Sequence, residues 1–102
     1  MSRVRIPLDK ERIVEFCRKH YIRKLAFFGS VLRDDFRPDS DIDVLVEFEA
    51  NATNVFDHYL DTRDFLASLL GRSIDLVEKS ALRNPFRRHA ILTSQEEVYS
   101  HD

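Results

Sequence analysis

The chain has 102 residues, 43% hydrophobic and 33% charged, with a net charge of −2 and one cysteine, Cys17. That length suits a single domain over 1–102, one cysteine rules out an internal disulfide, and near-neutral charge argues against a strong nucleic-acid surface. No apolar run approaches a membrane span and the first residues lack a signal-peptide core, so a cytoplasmic protein is expected, with no membrane association.

Residues 8–21 read as an amphipathic helix. Ile13, Val14, Phe16, Cys17 and Tyr21 recur at helical spacing, charged residues fill the other side, and Asp9 is placed to cap it. Residues 25–28 form a short apolar run ending at Gly29, as expected of a buried strand. A helical turn is expected over 30–34, then a polar loop through Ser40. A second strand over 41–48 alternates Ile42, Val44, Val46 and Phe48 against Asp41, Asp43, Leu45 and Glu47. A second helix follows over 55–70, its stripe made by Phe56, Tyr59, Leu60, Phe65, Leu66, Leu69 and Leu70, with Gly71 as C-terminal signal. A third strand is expected over 73–77, a third helix from Asn84-Pro85 to about residue 93, and a short edge strand over 97–99. This order implies an α+β fold: a small mixed β-sheet with helices packed mainly on one face.

The chemistry concentrates between Phe28 and Val46. On a strand, Asp41 and Asp43 point to the same side about 6 to 7 Å apart along the chain. Two such carboxylates can converge on metal ions about 3.5 to 4 Å apart, the spacing of two-metal phosphoryl-transfer sites. Oxygen-only ligands suit Mg²⁺, whose shell is completed by water and substrate phosphates. By itself an Asp-x-Asp pair is more often just two solvated acids. Gly29-Ser30 ends a buried strand and turns into helix, so backbone N–H groups and a hydroxyl can face an anion. By itself, that dipeptide is an ordinary turn. Arg33 lies one turn further on, able to face a triphosphate or to pair with Asp34 or Asp35.

Together, Gly29-Ser30, ten intervening residues and Asp41-Ile42-Asp43 resemble the signature of the DNA polymerase beta-like nucleotidyltransferase superfamily. Arg33, Ser40 and Val44-Leu45-Val46 match that pattern as it appears in the minimal nucleotidyltransferase group, which includes the MntA-type antitoxins. The resemblance spans nearly the whole chain but is specific only over 28–46. That family uses a third carboxylate on a later strand, where Asp75 stands. With Ile74 and Leu76 turned to the core, Asp75 falls on the side of Asp41 and Asp43 if the strands pair in register.

The resemblance implies that Asp41, Asp43 and Asp75 hold two Mg²⁺ ions on ATP, and that Asp75 helps deprotonate the attacking hydroxyl. Gly29, Ser30, Arg33 and Ser40 would contact the nucleotide. One departure is Asp34-Asp35, where relatives often carry a glycine or another small residue after the arginine. The implied reaction is transfer of AMP to a hydroxyl. Because the chain ends soon after the expected sheet, the acceptor surface is expected on another protein. Minimal nucleotidyltransferases commonly act as antitoxins of HEPN-type ribonuclease toxins, some by transferring AMP to a toxin tyrosine, so a hetero-oligomer with such a toxin is implied. The alternatives are an antitoxin that neutralises by binding alone, and a nucleotidyltransferase acting on a small molecule or RNA.

Other residues read as structural. Cys17 belongs to the apolar stripe of the first helix, and Tyr59 and Phe65 to the core. His20, His58, His89 and His101 have no partners at zinc-ligand spacing, so no zinc site is expected. Arg83, Arg87, Arg88 and His89 read as a solvated helix face.

Overall fold

A computed structural model describes Val4 and residues 6–33 and 36–101. Its elements are α1 (Lys10–Lys19), β1 (Ile22–Phe28), a 3-10 turn (Gly29–Leu32), β2 (Ile42–Phe48), α2 (Val55–Leu70), β3 (Ile74–Glu78), a second 3-10 turn (Lys79–Ala81), α3 (Pro85–Ser94) and β4 (Glu96–Ser100). The strands form one sheet in the order β3-β2-β1-β4. β1 runs antiparallel to both β2 and β4, whereas β2 and β3 are parallel. A parallel pair needs a crossover, and α2 supplies it.

Asp9 caps α1 by accepting the Arg12 N–H at 3.3 Å, and Glu11 and Arg18-Lys19 suit the helix dipole at its two ends. The helix is shorter than the expected 8–21. The cap itself takes Asp9 out of helical geometry, and Tyr21 turns into left-handed backbone at φ 59 as the chain reverses. Tyr21 is therefore 43% exposed rather than part of the helix stripe. β1 begins three residues earlier than its apolar run, because Lys24 reaches Glu97 of β4 at 2.9 Å and Arg23 lies 3.9 Å from Glu47 of β2. Cross-strand ion pairs make a strand from residues that look like loop.

α2 has the expected bounds, with Gly71 at φ 68 closing it by donating its N–H to Ala67 O at 2.9 Å. Thr62 and Leu66 are buried, and the Tyr59 hydroxyl donates to Leu76 O at 2.6 Å, tying the crossover to β3. Phe56 departs from the expected stripe: it is 71% exposed, in the first turn of α2. Asn84 caps α3 through Oδ1, which accepts the N–H groups of Phe86 at 2.9 Å and Arg87 at 3.2 Å, with Pro85 in the first turn.

The core has two parts, one on each face of the sheet. On one face α1 and α2 cover Leu25, Phe27, Ile42, Val44, Val46 and Leu76 with Ile13, Cys17 and Leu66. On the other, Ile91 of α3 and Leu82 pack on Phe28 and Leu45, with Val77 and Leu92 at the margin. Two helices cover one face and a third covers part of the other. Among the described residues no helix is long and apolar enough to cross a membrane.

Candidate active site

The α3 face of the sheet carries the carboxylates. Side chains alternate along β2, so Asp43 shares its face with Leu45, two residues on, which lies in the α3 cluster. In the sheet register Asp43 stands directly opposite Phe28 of β1 and Asp75 of β3. Asp43 and Asp75 are thus lateral neighbours on adjacent strands, close enough for their carboxyls to hydrogen-bond when one is protonated. Asp41 immediately precedes β2 and adds its charge to Asp43 from two residues away. The in-register pairing on which the position of Asp75 depends is therefore present.

The Asp43 carboxyl is raised above the ordinary carboxylate range. Burial is the largest cause, followed by the charge of Asp75, the hydrogen bond with Asp75 and the charge of Asp41, while Arg33 opposes them. A half-buried carboxylate between two others is costly unless a proton or a cation neutralises the group. Adjacent carboxylates on Asp43 and Asp75, with the charge of Asp41 nearby, are all-oxygen donors that suit a hard divalent cation such as Mg²⁺.

The Gly29-Ser30 turn is locked to this cluster. Gly29 follows Phe28, the partner of Asp43, and adopts φ +74. A β-carbon there would overlap Asp43 Oδ2 and lie 3.1 Å from its Cγ, so only glycine fits the backbone and the space together. The chain then makes a 3-10 turn closed by the Arg33 N–H donating to Ser30 O at 2.9 Å. The first N–H groups of such a turn have no intrahelical acceptor and can receive an anion. Arg33 leaves the turn exposed, near enough to act electrostatically on Asp43. Asp34 and Asp35, the departure from the family pattern, lie outside the described residues, as does the end of the helical turn expected over 30–34.

Ser40 has a local role in the same region. Its Oγ accepts the Arg37 N–H at 3.2 Å and its own N–H donates to Arg37 O at 3.0 Å, bracing the loop that delivers Asp41. A residue that sequence reasoning passed over completes the brace. Arg72, just after α2, donates from Nη1 to Arg37 O at 2.8 Å and lies 4.5 Å over the Phe36 ring. A lone arginine after a helix carries no signal of this in the sequence. Of the basic residues near α3, Arg83, Arg87 and His89 are exposed.

The thiol of Cys17 lies on the opposite face, where burial pushes it up to about 12. That makes it a core residue without nucleophilic character.

A model of the nucleotidyltransferase domain matches residues 10–96, which includes every element that builds the site. The chain belongs to that family. A protein of Methanocaldococcus jannaschii, by its name a candidate protein adenylyltransferase, is 36% identical over 73 residues, 72% of this chain and 73% of its own length. The protein adenylyltransferase MntA of Thermococcus cleftensis is 36% identical over 63 residues, 62% of each protein. Among solved structures, one of a candidate minimal nucleotidyltransferase superposes with a TM-score of 0.71 at 32% identity, covering 85% of this chain and 86% of the other. A complex of the tri-AMPylated Shewanella oneidensis HEPN toxin with its MNT antitoxin contains a chain of the same fold. Its TM-score is 0.60 at 20% identity, covering 90% of this chain and 70% of the other. The nucleotidyltransferase fold of this chain sets Asp43 beside Gly29 and Asp75 on one sheet face, with Asp41 just ahead of β2.

Proposed function

We propose that this nucleotidyltransferase domain transfers AMP from ATP to a hydroxyl of a partner protein, a tyrosine of a HEPN ribonuclease toxin, and so acts as an antitoxin in the cytoplasm. The observation that supports it most is the row Phe28–Asp43–Asp75 across three strands, with Gly29 pressed against the Asp43 carboxylate. Acids packed side by side on adjacent strands are costly, and a surface that only bound a partner would have no use for them. The names of the adenylyltransferase relatives and of the AMPylated toxin complex support the choice of nucleotide and acceptor.

Asp41, Asp43 and Asp75 would hold two Mg²⁺ ions, which supply charge neutralisation for the triphosphate and for the oxygens that gain charge during transfer. The 3-10 turn offers its first amides and the Ser30 hydroxyl to phosphate oxygens, and Arg33 adds a positive charge on the same side. The Arg37–Ser40 loop, braced by Arg72, sets the position of Asp41. The toxin hydroxyl attacks the α-phosphorus, forming the new P–O bond, while the bond to the β-phosphate breaks and pyrophosphate leaves. Asp75, exposed on β3 beside Asp43, accepts the hydroxyl proton at its carboxylate.

Co-expression of the toxin with the wild-type chain or with Asp41→Asn/Asp43→Asn tests the biology. Rescue of growth by the wild type and not by the double variant is expected. Full rescue by the double variant would mean that neutralisation works by occlusion alone.

A further inference from the structure

At the far end of β1 from the carboxylates, the close of α1 meets the first half of α2. His20 is the C-terminal cap of α1, and His58 and Asp61 stand one turn apart on α2. His20 Nδ1 and His58 Nδ1 are 3.1 Å apart, and Asp61 Oδ2 lies 4.0 Å from His20 Nδ1. One donor atom from each of these residues lies within 4.8 Å of the others.

Metal–nitrogen bonds of about 2.0–2.1 Å in a tetrahedral shell put neighbouring donor atoms roughly 3.3 Å apart. The imidazole nitrogens already stand close to that spacing. The Asp61 side chain, 59% exposed, needs only a small rotation to join them. The rings are held by their neighbours. Phe16 stacks on His20 with centroids 3.9 Å apart and itself stacks on Phe65 at 4.1 Å, while Tyr21 meets His58 edge-on at 5.3 Å. Burial, then the neighbouring His58, lower the His20 pKa; Asp61 works against them and Lys19 with them. Lys19 is itself paired with Glu15 at 3.0 Å. A neutral imidazole is the form that ligates. A bare N–H···N bond would account for the two histidines, but gives no part to Asp61 on the adjoining turn.

We infer that His20, His58 and Asp61 form a site for a divalent transition metal of the zinc class, clipping the end of α1 to α2. Imidazole nitrogen with one carboxylate favours zinc-like ions over Mg²⁺, and three protein ligands leave a fourth position for water. The site is independent of the proposed transfer chemistry. It sits two residues before β1 begins, whereas Asp43 lies opposite the last residue of that strand, about 20 Å away along extended backbone.

The test uses the full chain carrying Asp41→Asn and Asp43→Asn, so that the carboxylate cluster does not compete for zinc. Zn²⁺ is titrated against a chromophoric chelator, with Mg²⁺ as comparison, while imidazole ¹⁵N shifts are followed by NMR. One zinc per chain is expected, with the Nδ1 shifts at His20 and His58 and not at His89 or His101, and with a rise in thermal midpoint. His58→Gln and Asp61→Asn, the latter at an exposed position that leaves packing intact, are each expected to weaken zinc about tenfold or more. Absence of saturable zinc binding overturns the site, as do shifts confined to His89 or His101. So does zinc affinity unchanged by either substitution.

Discussion

Replacing Gly29 by alanine probes the link between the turn and the carboxylates. At φ +74 the new residue is held in left-handed backbone, which costs roughly 1–2 kcal/mol for a residue with a β-carbon. For a domain of this size that lowers the thermal midpoint by roughly 4–16 °C. The second effect is local: the added carbon overlaps Asp43 Oδ2, so the carboxylate must rotate away from Asp75 or the turn must back off. A reacting group misplaced by about 1 Å costs on the order of 100-fold in rate. Gly71→Ala is the matched control, at φ +68 with nothing within 4 Å of the added carbon. Both variants are measured by thermal denaturation and by rate of AMP transfer from α-labelled ATP, well below their melting temperatures. Both should lose similar stability, and only Gly29→Ala should lose about two orders of magnitude in transfer. Equal transfer rates in the two variants would refute the claim that the Gly29 contact positions Asp43.

Further substitutions probe the carboxylate electrostatics, the Arg72 brace and the core thiol. Asp43→Asn removes a half-buried charge from between two others, so in chelator it should raise the thermal midpoint by a few degrees while abolishing transfer. A lower midpoint would contradict the electrostatic reading. Arg72→Ala should cost about 1 kcal/mol and raise the KM for ATP more than it lowers kcat, because the loop carrying Asp41 loses its brace. Unchanged kinetics would show that the brace is irrelevant to the site. Cys17 ionises at about 12 in the folded chain against 9.0 unfolded, so its contribution to stability is full below pH 9 and is lost as pH rises toward 12. Cys17→Ala should flatten that alkaline decline, and the native thiol should resist alkylation at pH 8 until denaturant is added.

The legible and illegible parts of the molecule divide along physical lines. α2 and α3 could be bounded from sequence because their end signals are local: Gly71 closes one, and Asn84-Pro85 opens the other. The start of β1 could not, since Arg23 and Lys24 become strand residues through Glu47 and Glu97, acids 24 and 73 positions further on. The face of Asp43 was legible from strand periodicity, and Asp75 joins it because β3 pairs with β2 in register, whereas Asp41 lies just ahead of the strand. The contact of Gly29 with Asp43, the Arg72 brace and the meeting of His20 with His58 all depend on tertiary packing. Ligand spacing along the chain argued against a histidine pair, yet residues 38 positions apart meet at 3.1 Å because α1 and α2 lie side by side on the sheet. Phe56 departs from the helical pattern because it lines an open groove beside Phe48 and Leu82 instead of being covered.

The proposed role of Asp43 and Asp75, adjacent across β2 and β3, is nucleotide transfer. The test is to incubate the purified chain and the HEPN toxin proposed as its partner with α-labelled ATP and Mg²⁺, beside Asp43→Asn and Asp75→Asn. Label on a toxin tyrosine is expected with the wild type, and a loss of about a thousandfold or more in each variant that still folds and still binds the toxin. Label transferred at wild-type rate by either variant, or none transferred by a well-folded wild-type complex, would contradict it.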